Sequence, residues 1–559
     1  MGKFWLRFIL GGMPILFVIG CSTDTNQSED SLDPESEGAP GNPEVLEVGK
    51  YEEEITLTTV RGLDPSVEFK WEETIEENVH TKWAKERLGI NLDYLWTTTT
   101  QNNAFDTRLR LALSANEPIA DIVPVRDITL ANDLIDSGRF MRVDELFESY
   151  ASDAYKAAIE EDPTMWYPFA REDGAYAIPI PDYSWNNDTI LYIREDWMEN
   201  LGLDAPETLE DIESIMEAFV NEDPNGTGQD DTYGLAVGFN ESFNYNMANA
   251  SWIFGAFGTI PEQWNVAEDG TLQYGSVHPG AKNALAKLNS WMEKGYIHQE
   301  AGLHDEMRAV ELFTSGRAGI IAGPYWMDRF PLSDVYENDP GAQFKAYRVP
   351  AGPDGQIGRK GTLNFSGAVL INKDIEHPEA FFLYQNYLFD HFAFPEEGSE
   401  FEYLFAEGYD YVLDEDGNPT TENIPDGRVT PQKYTLTFEG ARVPSSLMEA
   451  YGHLATGAEP ANPFELRSSL IADEQRLQGA SVNLESRDIS MIDQFVGAPT
   501  PTMVSRGDYL NTQELEAFTR IIYGELPIDE FDSLVENWES SGGADITTEV
   551  NEWYETVSN

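Results

Sequence analysis

Cysteine is almost missing: Cys21 is the only one in 559 residues. An intrachain disulfide needs two thiols and a thiolate metal cluster needs more, so both are excluded. Positive charge is scarce too. Lys and Arg number 35 against 100 Asp and Glu, a formal net charge of −65. Such a surface repels phosphate backbones and anionic headgroups, which excludes nucleic acid and polybasic membrane attachment. The acid excess suits a saline or alkaline medium. Catalytic signatures are absent as well. None of the seven histidines sits in an HExxH pair, and there is no GxSxG, no GxxxxGK[ST], and no GxGxxG after a strand. Neighbouring acids such as Asp305 and Glu306 are expected by chance in so acidic a chain and read as solvated surface. Aromatics are plentiful: 13 Trp, 25 Tyr and 29 Phe must be buried or used, which excludes disorder for most of the chain. The length implies two or more domains, or two large lobes.

The one long apolar run is at the start. Lys3 and Arg7 precede Phe8–Ile19, an apolar stretch broken by Gly11, Gly12 and Pro14. It is too short to span a bilayer and has the length of a signal-peptide core. Val18-Ile19-Gly20-Cys21 follows and looks like a lipobox, so residues 1–20 read as a signal peptide and Cys21 as the lipid-bearing, palmitoylated residue. Ser22 to Pro43 is polar, with Leu32 its one large apolar residue, and cannot contribute to a core. Residues 21–50 are therefore expected to form a lipidated, disordered acidic tether.

Elements alternate after the tether. Ile55–Val60 reads as a strand, Glu76–Leu88 as a helix stopped by Gly89, and Ile90–Trp96 as an alternating strand. Phe105, Leu109, Ala112 and Leu113 form a helical stripe, and 120–124 a third strand. This order implies a parallel sheet covered by helices. The far end reads as helices, the first running from Asn511 (with Glu514 as a capping box) to Tyr523.

Two constellations carry chemistry. In Asp223-Pro224-Asn225-Gly226-Thr227-Gly228-Gln229-Asp230-Asp231, oxygen side chains fall at alternate positions and Gly228 sits where an EF-hand-type loop turns sharply. Hard oxygen ligands at that spacing suit structural Ca²⁺; a plain Asp/Asn/Gly turn is the other reading. Gly234 stands where a bidentate Glu would complete the loop. The second constellation is aromatic: Trp166, Tyr183, Trp185, Trp252, Trp264, Tyr325 and Trp326 lie beside Pro, Gly, Asn or Asp. Flat rings beside amides suit sugar rings, against core packing as the alternative. Trp185, next to Asn186, and Trp326, closing the apolar run Ala318–Ala322, point to a cleft. Arg61, after the first strand, and Arg126, after the third, are rare cations able to meet an anion.

These segments together resemble the family 1 extracellular solute-binding lipoproteins of ABC sugar importers, in the branch of LipO-type lipoproteins and alginate-oligosaccharide-binding proteins. Gly174–Pro179, Ile193–Met198, the 223–231 loop with Tyr233-Gly234, Phe313–Gly319 and Glu407–Tyr411 carry the likeness in order along the chain. The resemblance implies an α/β fold of periplasmic-binding-protein type II. Two lobes, each a mixed sheet flanked by helices, close on a ligand, and the C-terminus is helical. It implies lobes at 51–178 with 318–372, and at 179–317 with 373–559. The crossovers would fall near Ile178–Asp182, Ala318–Trp326 and Asn372. It assigns calcium to Asp223, Asn225, Thr227, Gln229 and Asp231. The expected ligand contacts are Trp185, Trp326, Tyr325, Asn186, Trp252, Arg61 and Arg126. The expected function is a monomeric, non-enzymatic receptor, lipid-anchored outside the cell membrane, that delivers an oligosaccharide to a permease. A cell-surface glycosidase or lyase is the alternative.

Overall fold

A computed structural model describes residues 44–229 and 231–558. The signal peptide, Cys21 and the tether up to residue 43 lie outside the described residues. Nine strands build the two main sheets: β1 (Ile55–Leu63), β2 (Ile90–Thr99), β3 (Ile122–Val125), β4 (Ile178–Pro181), β5 (Ile190–Arg194), β6 (Tyr233–Ala236), β7 (Ala318–Gly323), β8 (Phe344–Tyr347) and β9 (Phe365–Ile371).

The first lobe holds the sheet β2-β1-β3-β9-β4. β1 runs parallel to β2 and β3, while β9 is antiparallel to β3 and β4. The expected β-α-β-α-β start is thus present. Its first helix, Val79–Leu88, begins three residues later than periodicity predicts, because the Asn78 side chain accepts from the amides of His80 and Thr81 and closes a capping box with Thr81. It ends on Gly89 at φ 72°, where a Cβ would lie 2.5 Å from the Tyr51 carbonyl oxygen. The second lobe holds the sheet β8-β5-β7-β6. β5 and β7 are buried along their whole length, as expected of central strands covered on both faces. A Cβ on Gly319 would lie 2.2 Å from the Phe219 ring, so this glycine lets the helix Leu209–Asn221 lie flat on β7.

Three expectations are corrected here. The tether does not extend to residue 50: Glu44–Val48 is helical and Val45 is 6% exposed, packed into the first lobe with Tyr51. The segment 318–323 does not return to the first lobe, since β7 pairs with β5 and β6 of the second. Nor does the chain leave the first lobe at Asn372: Phe381, Phe389, Phe401, Tyr434 and Val443 all belong to the first-lobe core. The crossings fall instead at 182–189, at 361–364 between the short Arg359–Lys360 strand and β9, and at 444–446.

The C-terminal helices pack on the second lobe. The long one runs Pro501–Ile522, capped by Thr500, whose side chain accepts from the Met503 amide. Asn511 is therefore mid-helix, not a cap, and Glu514 is carried into the interior at 4% exposure. Burial, reinforced by Glu262 and opposed by the Ser276 and Tyr274 hydroxyls, pushes its carboxyl up to about 8. The unfolded chain releases this proton near the ordinary value of 4.5, so the folded state holds one proton more between roughly pH 4.5 and 8. The stability this group contributes is full at low pH and is lost as pH rises through that window. Glu514→Gln removes the linkage. Melting curves at the two ends of the window should show the wild type losing several degrees more than the variant on the alkaline side; equal losses would contradict the assignment.

Candidate ligand cleft and calcium loop

The three crossing segments are tied to one another. The Asp182 amide donates to the Asn364 carbonyl at 2.8 Å, and the Ser184 amide to the Pro444 carbonyl at 2.8 Å. The Asp188 carboxylate accepts from the Thr362 amide at 2.9 Å and pairs with Arg359 at 3.1 Å, both side chains buried. A buried ion pair is tolerated when its other lone pairs are also bonded, as here by Thr362 and Ser490. Asp182, also buried, accepts from Arg442 at 2.5 Å and from Asn186 at 3.3 Å. Arg442 in turn pairs with Glu439 at 2.9 Å and lies 4.8 Å from the centre of the Tyr183 ring. The hinge is thus a charged, hydrogen-bonded cluster that ties the three crossing segments together.

Trp185 and Trp326 stand beside this hinge, both half-buried against the same second-lobe cluster. Trp185 adopts a left-handed backbone at φ 58°, and the Asn483 amide holds its carbonyl at 2.8 Å. Non-glycine residues in that region carry strain, which concentrates at binding sites. The Trp326 indole N–H donates to Asn187 at 3.0 Å, fixing the ring. Asn186 is half-buried and accepts from the Tyr325 hydroxyl at 3.3 Å. Tyr325 itself is 2% exposed, so it supports Asn186 and offers no face to a ligand. Trp252 is not in the cleft: it is fully buried in the second-lobe core, 6.1 Å from the Trp291 ring. Its polar neighbours in sequence, Asn249 and Ser251, are buried too, bonded to one another.

The first lobe contributes a cationic pocket at the carboxyl edge of β1 and β3, where open parallel sheets bind ligands. Arg61, Arg126 and Lys433 line a cavity of about 210 Å³ together with the acids Asp64 and Glu439 and the Phe438 ring, three cations against two anions. Arg61 is not a free cation. β1 runs on to Leu63, so Arg61 lies inside the strand, 4% exposed, with its guanidinium donating to the carbonyls of Thr435 (3.0 Å) and Lys433 (2.6 Å). Burial, with Arg126 nearby, lowers it to about 10. Arg126 is exposed, and its guanidinium shares the Phe438 ring with that of Arg61, at 4.5 and 4.4 Å. Phe438 is held at φ 70°. Burial would raise the Asp64 carboxyl, yet bonds from Ser66 and the charges of Lys433 and Arg126 keep it below its ordinary value. Lys433, Phe438, Asp182 and Arg442 were not found by sequence reasoning. Scarcity of cations was the available signal for Arg442 and Lys433.

The 223–231 loop gathers its oxygens. Asp223 accepts from the amides of Thr227 (3.0 Å) and Gly228 (2.9 Å), and Gly228 takes φ 71°. Asp231 accepts from Asn225 at 3.1 Å and from the Thr227 hydroxyl at 3.2 Å. The side chains at four of the five expected positions therefore take part in one hydrogen-bonded turn, and their two carboxylates and neutral oxygens are of the type that suits a hard divalent cation. Gln229 was expected to offer its backbone carbonyl; its amide donates to the Thr227 hydroxyl at 3.3 Å. Thr232 does not join them: buried, it donates to the Phe219 carbonyl at 2.7 Å. Gly234, in β6, brings no side chain.

This geometry is that of a two-lobed α/β fold whose lobes are joined by three crossing segments. No protein-family model matches the chain. It is 24% identical over 515 residues to the polygalacturonan/rhamnogalacturonan-binding protein YtcQ of Bacillus subtilis, covering 88% of this chain and 92% of that protein. It is 24% identical over 374 residues to lipoprotein LipO of the same organism, covering 66% and 68%. Among solved structures it is similar to an EF-hand mutant of the Streptococcus pneumoniae ABC-transporter substrate-binding protein FusA in complex with fructo-nystose. The TM-score is 0.64 at 18% identity, over 90% of this chain and 99% of that one. The resemblance drawn from the motifs holds: one relative is named for polygalacturonan and rhamnogalacturonan binding, another as a lipoprotein, and the solved neighbour as an ABC-transporter substrate-binding protein, whose fold this chain shares.

Proposed function

We propose that this chain is the substrate-binding component of an ABC importer. It captures an oligosaccharide between its lobes and hands it to the permease. The observation that carries the reading is the presence of two half-buried tryptophans, Trp185 with its carbonyl held by Asn483 and Trp326 with its indole N–H held by Asn187, at a bonded three-segment hinge, together with a cationic pocket on the first lobe. Sugar rings stack their C–H faces on the indoles, and Asn186 faces hydroxyl groups. Arg126 and Lys433 meet a carboxylate, so uronic oligosaccharides are favoured over neutral ones; the name of YtcQ points the same way. The relatives are binding proteins, in keeping with a receptor that releases its ligand unchanged. Calcium staples the 223–231 loop through Asp223, Asn225, Thr227, the Gln229 carbonyl and Asp231, with water completing its coordination. A thermal-shift screen over neutral and uronic oligosaccharides tests the reading; no shift with any of them would contradict it.

The receptor works as a monomer held by lipid at Cys21 on the outer face of the membrane. Among the described residues no helix is long and apolar enough to cross a membrane. Cys21→Ser should release the protein into the soluble fraction with an unchanged melting temperature. A variant that still sediments with membranes after a salt wash would contradict the anchor.

A further inference from the structure

Trp71 lies on the loop between β1 and the helix Val79–Leu88, at the same carboxyl edge of the sheet as the cationic pocket. It is 64% exposed, and no other tryptophan among the described residues is in the exposed class. It is nevertheless fixed. Its indole N–H donates to Asp426 at 3.0 Å, and the Tyr409 ring meets it edge-on at 5.4 Å. The Lys70 ammonium lies 5.6 Å from its ring. Lys70 is itself buried, with its ammonium donating to the carbonyls of Gly408 (2.5 Å) and Pro425 (2.7 Å). The Trp71 backbone is left-handed at φ 53°. Strain and an exposed indole both work against the fold, so three contacts orient a side chain that the core does not use.

The loop is bonded to residues 433–434 from the pocket outward. Lys433 donates to Ser66 in the pocket at 2.8 Å. The next residue, Tyr434, stacks on Phe69 at 4.9 Å and donates its hydroxyl to the Glu68 carbonyl. Trp71 follows directly. An exposed, oriented indole on the loop from which Asp64, Ser66 and Val67 line the cationic pocket has the form of a stacking platform for a pyranose ring.

We propose that Trp71 is an outer subsite, stacking on a sugar ring of an acidic oligosaccharide whose other end occupies the Arg126 pocket, so that the protein selects for chain length. This rests on the receptor reading above. The test is calorimetry of the intact calcium-loaded protein with a dimer, a tetramer and a hexamer of α-1,4-linked galacturonic acid, and with the matched neutral series. Trp71→Ala should weaken the hexamer about tenfold and leave the dimer unchanged, with the same melting temperature as wild type. Trp71→Phe should restore most hexamer affinity. Should the uronic series fail to bind, the same length comparison is read on the neutral one. If Trp71→Ala binds every length as wild type does while Arg126→Ala weakens all of them, the subsite is wrong and the receptor stands. Equal weakening of dimer and hexamer by Trp71→Ala would also overturn the subsite. If the wild type binds neither series, the receptor reading fails and the subsite with it.

Discussion

Chelating calcium lowers the melting temperature of this protein, and Asp223→Ala lowers it without chelator: this is the expected result at the 223–231 loop. Asp223 and Asp231 bring two negative charges to one turn, with Asn225 and Thr227 between them. Without a cation these carboxylates repel one another, and bonds from the Thr227 and Gly228 amides, the Asn225 amide and the Thr227 hydroxyl oppose that repulsion. An ion that binds only the folded state stabilises it by RT ln(1 + [Ca²⁺]/Kd), about 2.7 kcal/mol at one hundred times Kd. The loop joins the helix Leu209–Asn221 to β6, so its loss loosens an edge of the second lobe. Ligand affinity should fall little, because none of these residues lines the cationic pocket or the hinge. Differential scanning calorimetry with and without chelator decides it. Identical curves would contradict the site.

Substitutions in the cleft should separate by role. Arg126→Ala should reduce affinity for a uronic oligosaccharide by roughly 1.5–3 kcal/mol, about ten- to a hundredfold, and leave a neutral ligand of equal length nearly unchanged. The net charge of −65 does not cancel this, since screening confines repulsion from distant acids to about 8 Å at physiological salt. Trp185→Ala and Trp326→Ala should weaken both ligands, because stacking does not depend on ligand charge. Arg61→Ala should act otherwise. Its guanidinium is buried beneath the Lys433 and Thr435 carbonyls, so its removal should lower stability first and affinity second. Calorimetry for binding and melting curves for stability give the two readouts. Wild-type affinity in both tryptophan variants would place the cleft elsewhere.

Local signals were legible and non-local ones were not. The β1–β3 start could be read because alternation in Ile90–Trp96 and the stop at Gly89 are properties of short segments. The hydrogen-bonded 223–231 turn could be read for the same reason: the residues proposed to hold calcium lie within nine positions of one another, Asp223 to Asp231. The run Ala318–Ala322 was rightly a buried strand, but which sheet it joins is decided by pairing with residues far away in sequence. That choice misplaced two of the three crossings. Trp252 looked accessible because its neighbours are polar, yet Asn249 and Ser251 satisfy each other and the segment can be buried. Arg61 looked like an end-of-strand cation, and the chain that covers it comes from residues 433–436. Trp71 and Phe438 carry no periodic signal; both have left-handed backbones and meet partners far away in sequence.

A receptor captures an oligosaccharide and releases it unchanged, whereas an enzyme would release a product. Mixing the purified, calcium-loaded protein with a uronic oligosaccharide, measuring stoichiometry by calorimetry and recovering the sugar for mass spectrometry separates the two most directly. The account predicts saturable one-to-one binding and recovery of the full-length sugar after prolonged incubation. Accumulation of shorter or unsaturated fragments would contradict it and make the chain an enzyme.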